Sequence, residues 1–215
     1  MTPLEPVPDA EQPAADAEPT RATERRWRID RPRAQRAAHE LLEALGADLE
    51  DESLRETPRR MVDVYAELLT PTEFSPTTFA KNDDYDELVV AREIPFHTLC
   101  EHHLLPFIGV AHVGYLPGER IVGLSKLARV VALFARSLQV QERLTTQIAG
   151  WLERELQPKG VGVVLEAEHT CMTIRGVQKP GTSTVTSAMR GKLREDPRTR
   201  AEFLTLAGGR FDGRS

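Results

Sequence analysis

Both cysteines of this chain lie among histidines, and the two places are far apart in the sequence. The first is Phe96-His97-Thr98-Leu99-Cys100-Glu101-His102-His103-Leu104-Leu105-Pro106-Phe107, which packs a thiol, a carboxylate and two adjacent imidazoles into four residues. The second is His169-Thr170-Cys171. Thiolate and imidazole are the donors Zn²⁺ prefers. If they serve one ion, the fold must bring two distant segments together, and few architectures do so. The competing readings are a surface loop that happens to hold histidines, a Cys171 that is a small buried hydrophobe, and a single Cys100–Cys171 bridge. Against the first, four of the six histidines (His97, His102, His103 and His112) fall in or next to the first segment.

Cys100, one of the adjacent histidines and Cys171 make a three-donor set. Three protein ligands leave the fourth tetrahedral position open for water, as in catalytic rather than structural zinc. There is no C-x₂-C pair, which disfavours a zinc finger and the nucleobase deaminases alike. His102 and His103 cannot easily ligate one ion from adjacent backbone positions, so one of them is available for proton transfer at neutral pH.

The surrounding pattern predicts a mixed α+β domain. Residues 1–26 are rich in Pro, Ala, Glu and Asp and lack apolar periodicity, which predicts a disordered tail. The remaining residues 27–215 form one domain. Asp30 and Pro32 open a helix carrying Ala34, Ala37, Ala38, Leu41, Leu42 and Leu45, with Gly46 as its stop. Thr57-Pro58 opens a second, capped by Thr57, whose apolar face is Met61, Val64, Tyr65, Leu68 and Leu69, so residues 30–70 are a helical N-terminal part. Strands over 88–97 and 108–116 flank the Cys-Glu-His-His loop. Two helices follow. The first has Ser125 as N-cap and Leu127, Val130, Val131, Phe134 and Leu138 on its core face; the second has Leu144, Ile148, Trp151, Leu152 and Leu156. A strand from Val161 to about Val177 would put His169, Cys171, Thr173 and Arg175 on one face. A turn at Lys179-Pro180-Gly181, a last strand over 182–187 and a helix over 198–207 complete a core spanning 85–207. The order ββααββ implies an antiparallel sheet.

Charge narrows the function. The chain has 33 acidic and 28 basic residues, but the first 20 residues hold five acids and no Lys or Arg. The folded body is therefore near neutral, a poor nucleic-acid binder. No apolar run reaches membrane-spanning length and no signal peptide is visible, so a cytoplasmic, reducing setting is expected.

Several motifs together resemble GTP cyclohydrolase I: Cys-Glu-His-His-Leu-Leu-Pro-Phe (100–107), Gly-Leu-Ser-Lys-Leu-Ala-Arg (123–129), Gln-Val-Gln-Glu-Arg-Leu-Thr (139–145), Glu-Ala-Glu-His-Thr-Cys-Met (166–172), Arg-Gly-Val (175–177) and Thr-Ser-Ala-Met-Arg-Gly (186–191). The resemblance runs from about residue 33 to 207. It implies a tunnelling fold, with an antiparallel four-stranded sheet and two helices between its second and third strands. It implies a homodecamer of two stacked pentamers with active sites between subunits. The implied reaction converts GTP and water to formate and 7,8-dihydroneopterin triphosphate, entering folate or pterin synthesis. On this resemblance Cys100, His103 and Cys171 are the Zn²⁺ ligands, and His102 and His169 the proton-transfer pair. Glu142 holds guanine, and Gln141 is a second substrate-binding residue. Ser125, Lys126, Arg129 and Arg175, with Arg60, contact the triphosphate. Two rivals are a same-fold reductase of a cyano-deazaguanine, and a non-catalytic oligomer binding zinc or a purine nucleotide.

Overall fold

A computed structural model describes residues 28–72, 78–81 and 85–208. The expected acidic tail lies outside the described residues.

Two helices come first. α1 (Arg31–Ala44) is capped by Asp30, whose carboxylate accepts from the Arg33 amide at 3.0 Å. The chain leaves it through Gly46, whose φ of +89° suits a residue without a Cβ. α2 (Thr57–Leu68) takes Glu56 as its N-cap, with no side-chain capping bond, so Thr57 is already helical rather than the cap. Its buried residues are Pro58, Val62 and Ala66, while Val64 is exposed. The expected face was thus one position off. Apolar residues surround most of this helix, and periodicity alone does not single out one face.

The main sheet has five strands in the order β5-β2-β3-β6-β7, formed by β2 (Val89–Cys100), β3 (Pro106–Leu116), β5 (Leu138–Gln139), β6 (Gly160–His169) and β7 (Ser183–Gly191). The four long strands are antiparallel neighbours, and β5 adds a two-residue parallel pairing to the end of β2. This is the expected four-stranded sheet with one short extra strand. A separate small ribbon pairs β1 (Thr78–Ala80) with β4 (Arg120–Val122). Between strands lie α3 (Leu124–Ala135) and α4 (Gln141–Leu156); after β6 come a single turn α5 (Thr170–Thr173), then α6 (Lys192–Glu195) and α7 (Pro197–Gly208) after β7.

Alternation along the strands divides the core in two. Phe107, Ala111, Val113 and Tyr115 of β3 and Val161, Val163 and Leu165 of β6 point to one face. There they pack under Leu127, Val130, Val131 and Phe134 of α3 and Leu144, Ile148 and Leu152 of α4. The opposite face is covered at one end only, by Leu193 of α6 and Phe203 and Ala207 of α7. Phe203 rests on two cross-strand partners, Gly114 and Gly162. His112 belongs to this second face, buried near the C-terminal end of α7, and so is remote in role from the cysteine–histidine segment.

Two expected boundaries need correction. α3 begins at Leu124 with Gly123 as N-cap, which places Ser125 inside the first turn instead of at the cap; Leu138 lies in β5, not on this helix. β6 stops at His169, paired to Phe107, because its neighbour β3 begins only at Pro106 and there is no strand left to pair with. The backbone then turns helical, with the Ile174 amide bonded to the Thr170 carbonyl at 3.1 Å. His169, Cys171, Thr173 and Arg175 therefore do not share a strand face.

Candidate metal and nucleotide site

The strand-terminal turn and the hairpin loop meet. Cys100 is the last residue of β2, and its amide bonds to the Leu105 carbonyl at 2.8 Å while its carbonyl accepts from Leu104 at 2.9 Å. Closing so tight a loop puts Leu104 at φ +55°, a conformation that costs a non-glycine residue about 1–2 kcal/mol. The loop holds His102 and His103 with their Nδ1 atoms each 3.8 Å from the Cys100 sulfur. From the other side, α5 delivers Cys171. The Thr170 hydroxyl anchors this turn by donating to the Pro106 carbonyl at 2.6 Å. One donor atom each from Cys100, His103 and Cys171 lies within 4.8 Å of the others. Both cysteines are free thiols, so the bridge alternative falls.

The electrostatics suit a cation. Burial pushes the Cys171 thiol above its ordinary pKa, and the adjacent Cys100 adds to the rise. Two facing thiols resist ionising together. A divalent ion between them reverses this and favours both thiolates. The donor set, two sulfurs and an imidazole, fits Zn²⁺.

His169 stands beside this cluster. Its ring stacks on Phe107 with centroids 4.3 Å apart and planes 10° from parallel, and its Nε2 lies 2.8 Å from Gln141 Oε1. Burial lowers its pKa, and the nearby Glu142 carboxylate partly offsets that. Glu142 and Gln141 open α4, Glu142 exposed and Gln141 buried. Arg175 adds a positive charge felt by Cys171. Arg143 ties the loop to α4, donating to Glu101 Oε2, to the Leu138 carbonyl and to Gln139 Oε1. The other Glu101 oxygen lies 4.0 Å from His102 Nε2. The stacking of Phe107 on His169 and the Arg143–Glu101 tie could not be read from the residues alone, because both depend on strand register and on where α4 starts.

Other expected site residues do not converge within one chain. The Val122 amide donates to the Tyr115 hydroxyl at 3.2 Å, so the start of α3, with Ser125, Lys126 and Arg129, sits near the Tyr115 end of β3. Tyr115 is eight residues along the strand from Phe107, roughly 27 Å at about 3.4 Å per residue, far outside contact with the cluster. Arg60 lies on α2, which reaches the loop through Tyr65, whose hydroxyl is 3.5 Å from the Leu104 carbonyl. Its neighbour Arg59 is tied to Glu56 and Asp63. His97 is exposed on β2.

The GTP cyclohydrolase I family model matches residues 34–208. The chain belongs to the GTP cyclohydrolase I family. Among its relatives, GTP cyclohydrolase 1 of Aquifex aeolicus is 50% identical over 181 residues, covering 84% of this chain and 98% of that protein. GTP cyclohydrolase 1 of Mycolicibacterium vanbaalenii is 52% identical over 186 residues, covering 83% and 91%. A solved structure, the archaeosine synthase QueF-Like in the apo form, aligns at 14% identity with a TM-score of 0.42, over 50% of this chain and 97% of that one. The family match includes every residue of the cluster just described and both ends of α3.

Proposed function

We propose that Cys100, His103 and Cys171 hold a zinc ion with which this GTP cyclohydrolase I family enzyme converts GTP and water to formate and 7,8-dihydroneopterin triphosphate, the entry step of folate or pterin synthesis. The observation that carries this reading is the convergence of three soft donors within 4.8 Å, with the imidazoles of His102 and His169 alongside. When bound, zinc supplies Lewis acidity and a water activated near neutral pH.

The remaining work falls to the chain. Glu142, exposed at the start of α4 and close enough to His169 to act on its charge, can accept two hydrogen bonds from the N1–H and 2-amino edge of guanine, an edge adenine lacks. His102 and His169 move protons during imidazole-ring opening and the later ribose rearrangement. Arg175, with Arg60, meets the triphosphate, together with Ser125, Lys126 and Arg129 from the first turns of α3.

We assign that last group to another subunit, a reading supported by the start of α3 lying near the Tyr115 end of β3. The sheet supports such an assembly. Among the described residues β7 has no partner on its outer edge, and β2 has one only at Leu99 and Cys100. Pairing those edges would close a ring, and on this reading a neighbour's α3 lies beside the cluster. We take the assembly to be a homodecamer of two pentamers, located in the cytoplasm, where the two thiols stay reduced. Among the described residues no helix is long and apolar enough to cross a membrane.

Incubation with GTP and zinc tests the reaction, with formate release and pterin fluorescence as readouts and metal content measured in parallel. Wild type should turn over. Cys171→Ala should lose both zinc and activity, and His102→Ala should keep zinc without activity. Wild-type protein that holds zinc and leaves GTP intact would overturn the reading. Light scattering tests the assembly, and an active monomer would refute the shared site.

A further inference from the structure

We propose that Gln141 is a positioning residue whose buried amide fixes His169 in the tautomer protonated at Nε2, leaving Nδ1 as the ring's acceptor atom. The inference rests on the reading of His169 as a proton-transfer group and names its acceptor atom.

The assignment follows from counting donors and acceptors. A glutamine side chain has two N–H donors and one carbonyl oxygen. Gln141 Nε2 donates to two backbone carbonyls, Leu165 of β6 at 3.2 Å and Thr184 of β7 at 2.9 Å. Both donors are thereby used. Turning the amide over would aim its oxygen at two carbonyl oxygens, a repulsive arrangement, so the orientation is settled by its surroundings. Only the acceptor Oε1 then faces His169 Nε2, at 2.8 Å. A neutral imidazole carries one N–H, and the facing atom requires it on Nε2. Gln141 is 2% exposed, so water does not compete for this bond.

The ring is also held against rotation. Phe107, fully buried, lies flat beneath it, and the Gln141 backbone carbonyl is pinned by the Thr145 hydroxyl at 2.7 Å. That hydroxyl in turn lies 2.7 Å from Thr186 Oγ1 on β7. Platform and amide therefore belong to the sheet core rather than to a loop. The amide has no donor left for a nucleotide, so Gln141 acts through His169 and not as a substrate contact.

Magic-angle-spinning ¹⁵N NMR of ¹⁵N-histidine-labelled protein reads the tautomer directly, with the His169 signals assigned by their loss in His169→Asn. Wild type should show neutral His169 protonated at Nε2 alone. Protonation at Nδ1, or the mixture seen for free imidazole, would overturn the proposal, and this measurement needs no Gln141 variant. In Gln141→Leu the preference should disappear and kcat should fall on the order of 10- to 100-fold with KM within about twofold. A rise in KM at unchanged kcat would mark Gln141 as a substrate contact and refute the positioning role. The tautomer is read without turnover, so a wild type that shows it yet fails to consume GTP would count against the proposed function alone.

Discussion

Adding one methyl group at Gly162 should loosen the C-terminal helix and leave the chemistry alone. A Cβ built there would lie 2.6 Å and 2.8 Å from two Phe203 ring carbons and 2.7 Å from a Leu193 methyl. Contacts below 3 Å cannot stand, so something has to move. Phe203 has little room to tilt away, because its other edge lies over the Gly114 backbone and the ring is fully buried. Overpacking of this kind costs about 1–3 kcal/mol. The upper limit is set by the chain giving up the ring altogether, about 3–5 kcal/mol for a buried phenylalanine. For a chain of this size each kcal/mol moves the midpoint by about 2–4 °C, so Gly162→Ala should lower Tm by about 2–12 °C. Circular dichroism melts at matched protomer concentration measure this, and pterin formation measures function, with kcat and KM expected within about twofold of wild type. Phe203→Leu made on top of Gly162→Ala should cost less than it does in wild type, by a coupling of about 0.5–3 kcal/mol. Strict additivity, or an unchanged Tm in Gly162→Ala, would refute the account of the seat.

Other consequences are as direct. Lys81 and Lys159 hold the Asp86 carboxyl down to about 2 from 3.8. A depressed carboxyl adds stability above its unfolded pKa and loses it as pH falls toward the folded one, so Asp86→Asn should flatten the acid limb of a Tm-versus-pH curve between about pH 4 and 2 and change nothing at pH 7 beyond a constant offset. Tyr115→Phe leaves the buried Val122 amide without its acceptor and should cost about 1–3 kcal/mol in a denaturant melt. Chelation should abolish turnover and lower Tm, with zinc restoring both, because the ion binds the assembled donors and not the unfolded chain.

Much of this was legible from residues alone, and the failures have local causes. The cores of α3 and α4 could be read because Leu127, Val130, Val131 and Phe134, and then Leu144, Ile148 and Leu152, recur at helical spacing and are all buried. The metal cluster could be read because its residue types are scarce. Where β6 ends could not be, since Thr170-Cys171-Met172-Thr173-Ile174 is as suitable for a strand as what precedes it. The end is decided by where β3 starts, at Pro106, a fact about a neighbour. Cys171 consequently reaches the cluster by a helical turn instead of by strand parity. The role of Gln141 was hidden for the same reason, because its partners are two carbonyls on strands 24 and 43 residues away.

The long path of α3 has a genetic consequence. The helix starts near Tyr115 and, after Arg136 and Ser137, the chain enters β5 beside Cys100, so the segment runs along the sheet toward the cluster. With sites assembled as proposed, each protomer gives its metal half to one site and its phosphate half to the next. A copy defective in one half then disables only the single site that receives that half. Activity of mixed assemblies with wild type should fall in proportion to the mutant fraction, and a Cys171→Ala chain mixed with an Arg129→Ala chain should regain activity that neither has alone.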